Sequence, residues 1–243
     1  MNNIDAHHWV KAMKSELDSM YSNQVLDLVK TPNDIKPVSC KWVYKRKRGI
    51  DGKVETFKAR LVPKGYTEKE GIDYEETFSP VVMLKPIKIH LSIAAHYDYE
   101  IWQMDVKTAF LNGNLEEEIY MVQPEGFIAK NQEHMICKLK RSIYGLKEAY
   151  RSWNIRFDQA IKSFGFEQNL DEPCVYKRHQ DKVVTFLVLY FDDILLIGND
   201  VGVMSSVKVW LSRQFDMKDL GEADFILRNK LWRDRKNKML GLS

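Results

Sequence analysis

Three aspartates hold the chemistry that this chain's residue types allow. Asp192 and Asp193 follow the run VVTFLVLYF and precede ILLIGN, while Asp105 closes a second apolar run, IWQMD. β-Branched and aromatic side chains dominate both runs, which therefore predict β-strand. Residues 183–199 read as strand, acidic turn, strand, with Phe186, Val188 and Tyr190 on one face and Leu187, Leu189 and Phe191 on the other. Since both faces are apolar, the hairpin belongs in a sheet covered on two sides. Carboxylates at the lip of such a core are costly unless water, a donor cluster or a cation compensates them. In isolation Asp192-Asp193 fits a solvated β-turn equally well, because Asp is a common turn residue.

Asp105 lies 87 residues before Asp192, and a fold that joins them changes that balance. Carboxylates gathered at one strand edge repel unless a hard cation bridges them. Mg²⁺ suits, since it takes one or two carboxylates and keeps its other positions for water and phosphate. Two such ions clamp the attacking and leaving oxygens of an in-line phosphoryl transfer. Adjacent strand residues point opposite ways, so Asp105 and Asp192 are expected as the main chelators and Asp193 as an outer support.

The elements that must position these groups follow from periodicity. Residues 8–22 predict an amphipathic helix with Trp9, Met13, Leu17 and Met20 on one face, and 24–29 a short strand. Residues 39–47 alternate apolar and basic, GIDGK turns the chain, and 54–62 returns with Phe57, Ala59 and Leu61 on one face and Lys58, Arg60 and Val62 on the other. That is a twisted hairpin with one apolar and one cationic face. A polar connector covers 66–80. The helix predicted at 85–97 carries Pro86 in its first turn and turns Ile89, Ile93 and Ala94 inward.

The strand 100–106 carries Asp105, KTAFLNG closes a turn at Asn112-Gly113, and short strands at 118–122 and 135–139 flank a polar loop. Past the glycine turn SIYGLKEAY comes a helix burying Trp153, Phe157, Ile161 and Phe164. A helix at 203–215 follows the central hairpin, MKDLGEADFIL is a turn into a strand, and 236–243 begins another. Strand, helix, hairpin, helix, strand is a β-α-β-β-α-β order, which predicts an α+β fold with a ferredoxin-like sheet and helices on one face.

Composition sets the outer limits. The chain has 243 residues, 44% hydrophobic and 12% aromatic, which suits a globular protein with a real core. No run of about 18 apolar residues predicts a membrane span. MNNIDAHHWV is not a basic-then-apolar leader, so an intracellular compartment is expected. Cys40, Cys137 and Cys174 stand far apart and read as buried free thiols, and the pair His7-His8 as exposed. The net charge is only +3, yet between residues 36 and 66 ten Lys or Arg stand against two acids. Further basic excesses run over 138–156, which includes Arg151, and 228–238. Stripes of this kind on a near-neutral protein fit a polyanion channel, with Lys45, Lys47 and Arg151 as candidate nucleic-acid contacts.

LVLYFDDILLIGND, together with QMDVKTAFLNG, KARLVPKGY, ETFSPV, SIYGLK and MKDLGEAD, closely resembles the reverse transcriptase domain of Ty1/copia-type retrotransposons. The resemblance runs essentially from the Trp9 helix to the final LGLS. It implies a right-hand RNA-directed DNA polymerase, copying a primed RNA or DNA template from dNTPs with two Mg²⁺ or Mn²⁺ ions. It implies a palm holding the ferredoxin-like sheet, a β-rich fingers subdomain, and a thumb largely missing. Residues 23–98 and 113–148 would be mainly fingers, 99–112 and 149–235 mainly palm, and 1–22 an N-terminal helix.

Carried over by position, Asp105, Asp192 and Asp193 match the metal-binding triad, with Val106 beside them as a further metal contact. Phe110 matches the bulky side chain that excludes a ribonucleotide's 2′-hydroxyl, and Ala109 would offer its N–H to the triphosphate. Lys58 and Arg60 fall where the fingers meet incoming phosphates, and Gly145 and Lys147 in the block lining the nucleotide pocket. Five positions depart from the family's habit: Glu148 where Gln is usual, Tyr150 for a small residue, Arg228 and Asn229 near the primer-steadying turn, and Phe191 for Val. With the RNase H, protease and integrase regions also absent, the expectation is a truncated or partly decayed copy. Its alternative is a catalytically silent, nucleic-acid-binding relic. The family location is cytoplasmic, in a virus-like particle, or nuclear, with no membrane partner.

Overall fold

The computed structural model describes residues 5–33, 35–49, 52–64, 80–227 and 229–243, apart from the side chain of Glu116. The connector expected at 66–80, all but its last residue, and Arg228 lie outside the described residues. In chain order the elements are α1 (Ala6–Ser22), β1 (Leu26–Lys30), β2 (Cys40–Arg48), β3 (Val54–Pro63), α2 (Leu84–Tyr97), β4 (Glu100–Val106), a 3-10 turn (Ala109–Asn112), β5 (Asn114–Met121) and β6 (Met135–Arg141). There follow α3 (Ala149–Ser163), β7 (Glu167–Gln168), β8 (Val175–Gln180), β9 (Val183–Tyr190), β10 (Asp193–Gly198) and α4 (Val201–Gln214). The chain closes with β11 (Met217–Glu222), β12 (Phe225–Ile226), β13 (Asn229–Asp234) and β14 (Met239–Leu242).

These elements form a mixed α and β chain in two compact units. The first combines Met1–Phe78 with Phe110–Trp153, the second Ser79–Ala109 with Asn154–Ser243. In the first unit β2 and β3 make a two-stranded ribbon, and β1-β6-β5 a three-stranded sheet. Ribbon and sheet share a core in which Val25, Leu61, Met121, Leu139 and Ile143 are buried. Trp9 of α1 meets Tyr44 and Phe57 edge-on, at 5.1 and 4.7 Å between ring centroids, so the expected apolar face of the ribbon packs on α1. The three cysteines are free thiols, Cys137 and Cys174 buried and Cys40 half-buried. Burial, and after it the neighbouring Cys40, pushes the Cys137 thiol up to about 11, which keeps it protonated and inert at neutral pH.

The second unit is built on a six-stranded sheet in the order β11-β4-β10-β9-β8-β7. Its β4, α3, β9, β10, α4, β11 succession is the β-α-β-β-α-β order, with β4 between β10 and β11. The register aligns Tyr176, Leu187, Leu196 and Trp102 on one face of four neighbouring strands. Phe157 of α3 packs on Tyr176 at 5.9 Å, and the Lys208 ammonium of α4 sits 4.4 Å from the Trp102 ring, so both crossover helices cover that face.

The opposite face holds Ile101, Val188, Leu195 and Ile197, which cluster with Ile87, Leu91 and Ala94 of α2 and with Leu231, Leu240 and Leu242 of the last sheet. The two helices of the β-α-β-β-α-β order, α3 and α4, therefore share one face as expected, and α2, which precedes that order, covers the other. The inward stripe of α2 differs from the one expected. Pro86, Ile87, His90, Leu91 and Ala94 are buried, whereas Ile89 is exposed. Ile89-Ile93 and Ile87-Leu91-Ala94 are both apolar at helical spacing, and only the sheet decides between them. Among the described residues no helix is long and apolar enough to cross a membrane.

Candidate functional site

The central hairpin turns in two residues. Tyr190 and Asp193 are paired in register, so Phe191 and Asp192 form the loop. Phe191 was expected on the strand; instead it occupies the first loop position with φ +55° and is partly exposed. Two-residue hairpin loops favour a positive φ there, because it matches the strand twist, and glycine is the residue that adopts it without strain. A phenylalanine in that conformation costs on the order of 1 kcal/mol, a load that tends to be kept where geometry serves function.

The same loop sets which aspartate faces which. Asp193 opens β10 directly opposite Asp105 of β4, and cross-strand partners present their side chains to the same face. Asp192 stays in the loop, where its backbone carbonyl accepts a hydrogen bond of 2.8 Å from the Val106 N–H. Gln103, two residues before Asp105 and therefore on its face, donates from Nε2 to Asp193 Oδ1 at 3.1 Å. Burial pushes the Asp193 carboxyl above the ordinary aspartate range. The Gln103 hydrogen bond pulls it back in part, and the charges of Asp192 and Asp105 push it further up. The nearest lysine in sequence is committed elsewhere: Lys107 binds Asp216 at 2.8 Å.

Can these residues hold a divalent ion? Among the described residues no three acidic, histidine or cysteine side chains stand ready-made around one point. What β4 and β10 supply is a facing carboxylate pair with a third carboxylate one residue away, and Asp193 is raised first by burial and then by the charges of the other two. That donor set fits Mg²⁺, which accepts one or two carboxylates and draws its remaining ligands from water and phosphate.

The other predicted site residues lie in the first unit, except Ala109, which ends the first segment of the second. Ala109 is fully buried at the start of the 3-10 turn. Phe110 meets Tyr144 edge-on at 4.8 Å and Tyr150 at 6.2 Å, and the Arg60 guanidinium lies 4.5 Å from the Tyr144 ring centroid. Tyr144 thus links a predicted phosphate contact to the predicted sugar gate. Sequence reading passed over it and over Gln103, although each stands within two residues of a flagged position. Arg60 Nε is buried and meets no hydrogen-bond partner among the described residues.

Gly145 is required as glycine: its φ is +105°, and a Cβ there would come within 2.5 Å of Val62 Cγ1 and 2.7 Å of the Pro63 carbonyl oxygen. Lys147 is exposed and Glu148 buried. On the ribbon, Lys45 stands directly opposite Lys58, and Lys47 opposite Thr56. Like charges facing across a ladder destabilise it unless an anion lies over them. Behind the ribbon Glu16 of α1 accepts a hydrogen bond from the Leu61 N–H. Burial raises its carboxyl, and the charges of Arg60 and then Lys58 draw it back. Arg151 is half-buried on the first turn of α3.

The family model described as reverse transcriptase (RNA-dependent DNA polymerase) matches residues 23–240. The chain is 47% identical over 244 residues to the retrovirus-related Pol polyprotein from transposon TNT 1-94 of Nicotiana tabacum, covering 100% of this chain and 18% of that protein. It is 37% identical over 220 residues to the Pol polyprotein from transposon RE1 of Arabidopsis thaliana, covering 90% of this chain and 15% of the relative. Against the transposon Ty1-H Gag-Pol polyprotein of Saccharomyces cerevisiae the identity is 29% over 217 residues, covering 86% of this chain and 11% of the relative. The chain therefore spans less than a fifth of each of these polyproteins.

Proposed function

Because this chain belongs to the reverse transcriptase family, in its Ty1/copia-type branch, we propose that it is an RNA-directed DNA polymerase domain adding dNTPs to a primer on an RNA or DNA template. The observation that carries the reading is the facing of Asp105 and Asp193 across the β4–β10 ladder, with Asp192 in the adjoining loop. In this reading residues 99–112 and 149–235 are mainly palm, and residues 23–98 and 113–148 mainly fingers. Asp105, Asp192 and Asp193 hold the divalent ions, with Val106 steadying the Asp192 loop through its N–H. When bound, such ions neutralise the charge that develops on the attacking 3′-oxygen and the departing pyrophosphate.

The rest falls to the chain's own side chains. Lys58 and Arg60 receive the triphosphate, and the stacking of Arg60 on Tyr144 fixes its guanidinium while leaving donors for phosphate. Phe110, held by Tyr144 and Tyr150, excludes a 2′-hydroxyl by bulk. Ala109 offers its N–H to the triphosphate, and Gly145 with Lys147 lines the nucleotide pocket. Lys45, Lys47 and Arg151 track nucleic-acid phosphates, which would relieve the facing of Lys45 and Lys58.

Primer extension with dTTP on poly(rA)/oligo(dT), with Mg²⁺ or Mn²⁺, tests the reading. Incorporation by this chain, abolished in Asp105→Asn, is the expected result. A second reading, the silent relic, rests on Glu148, a buried carboxylate beside the predicted nucleotide block. Salt-dependent binding of the template–primer without incorporation in either metal would favour it. Incorporation appearing only in Glu148→Gln would assign the defect to that one side chain. Neither binding nor incorporation would overturn both.

A further inference from the structure

At the end of β9 far from the aspartates, about 23 Å along the strand at 3.3 Å per residue, a hydroxyl is buried without use. Thr185 is 1% exposed, and its Oγ1 has no hydrogen-bond partner among the described residues. A buried polar atom in that state carries a penalty that a ligand can remove. In register Thr185 stands between Arg178 on β8 and Gly198 on β10, and the Met204 side chain packs over the glycine. Thr185, Arg178, Lys182 and Val203, the last from the first turn of α4, line a cavity of about 380 Å³. That volume lies in the range of small-molecule sites.

The charges select the guest. The Arg178 guanidinium is held 4.8 Å from the Phe164 ring centroid, which orients it. Lys182 supplies a second cation from the β8–β9 turn, and Asp181 beside it, also on the lining, supplies one carboxylate. Two cations against one acid favour a single negative charge and disfavour a phosphate dianion. Val203 and the Thr185 methyl favour carbon over water in the remainder of the space. We propose that this cavity binds a small organic carboxylate with an apolar body, its carboxylate accepting from the Thr185 hydroxyl and the two cations. The site lies outside the polymerase reading and does not depend on it.

A ¹⁹F NMR titration of the intact chain tests this with 4-(trifluoromethyl)benzoate and its neutral counterpart 4-(trifluoromethyl)benzyl alcohol. A saturable shift of the benzoate line is expected, with the alcohol binding about tenfold more weakly. Thr185→Val keeps the β-branched shape and removes only the hydroxyl; it should weaken the benzoate about fivefold. Lys182→Gln, in an exposed turn, should weaken it about tenfold. Circular dichroism of both variants establishes that they fold. The proposal is overturned if the benzoate line does not saturate, if the alcohol binds as tightly, or if both folded variants bind benzoate like the parent.

Discussion

The two ends of β4 carry acid in opposite company. At its start, Glu100 accepts two bonds from Arg235 Nη2, at 2.9 and 2.8 Å. The same Arg235 reaches Asp98 at 2.9 Å and Glu222 at 3.7 Å, while Arg233 binds Asp98 at 2.8 Å and the Tyr99 carbonyl oxygen at 2.7 Å. Those arginines come from β13 and the turn after it, so the cluster fastens the last sheet to the base of β4. Five strand positions on, Asp105 faces Asp193, and the donor on the Asp193 carboxyl is a neutral amide. The two ends share a strand but differ in what the charge does. At the start acid and base neutralise each other and hold elements together; at the far end acid is set against acid at a cost in stability. A strand end that costs stability is where function is to be sought.

Removing a charge from each of the two ends should therefore have opposite effects on stability, and the largest effect of all is on catalysis. Asp193→Asn is expected to lower primer extension by about a thousandfold or more, since it removes a charge that acts in the transition state. The same substitution should leave the metal-free chain more stable at neutral pH. The sign follows from the raised folded-state pKa: the folded chain holds the proton more tightly than the unfolded one, so ionisation of Asp193 works against folding. Its penalty is absent below the ordinary aspartate value and grows as pH rises through that value to the folded one. Urea unfolding in EDTA should show the Asn variant ahead at pH 7 and the gap closing as pH falls. An Asn variant less stable than the parent at pH 7 would erase the contrast between the two ends.

At the other end the expected loss is structural. Arg233 has a side chain only 10% exposed, and besides Asp98 and Tyr99 it reaches the Ala94 carbonyl oxygen at the close of α2, at 3.3 Å. Arg233→Ala abandons those acceptors in a partly buried place and should cost about 2–3 kcal/mol in urea unfolding. Arg235 is far more exposed, so Arg235→Gln should cost only about 0.5 kcal/mol, and less in high salt. Equal losses for the two would mean that the cluster acts as one unit.

Legibility in the sequence divided along similar lines. β4, β9 and β10 were readable because burial on both faces demands long apolar runs, and those runs end at the aspartates. The strands β8 and β13 were not, and β11 was expected as the turn before a strand: VYKRHQ, NKLWRD and MKDLGE expose at least half of their residues or leave them half-buried. Their place comes from ladder hydrogen bonds to a neighbour, which leave no periodic mark. β11 even carries a bulge between Asp219 and Gly221 that turn residues permit. At the site, all three aspartates were visible as residues but their register was not. Counting Phe191 as strand shifts the hairpin by one, and a shift of one exchanges which aspartate faces Asp105. Gln103 carried a usable signal, since it lies two positions before Asp105 on the same strand face.

Phe191 provides the finest test of the comparison, because its strain belongs to the costly end alone. Glycine adopts φ +55° freely, so Phe191→Gly should recover the strain. It forfeits the edge-on contact with Tyr190, at 4.9 Å between ring centroids, and the entropy that glycine adds to the unfolded chain. The strain is on the order of 1 kcal/mol and the two losses together are of similar size, so unfolding free energy should move by no more than about 0.5 kcal/mol. An unstrained phenylalanine would instead make the variant less stable by about 1–2 kcal/mol, because only the losses would remain. Thermal unfolding separates the two cases. A near-zero shift would mean that the hairpin accepts a bent residue to keep Asp192 and Asp193 beside Asp105.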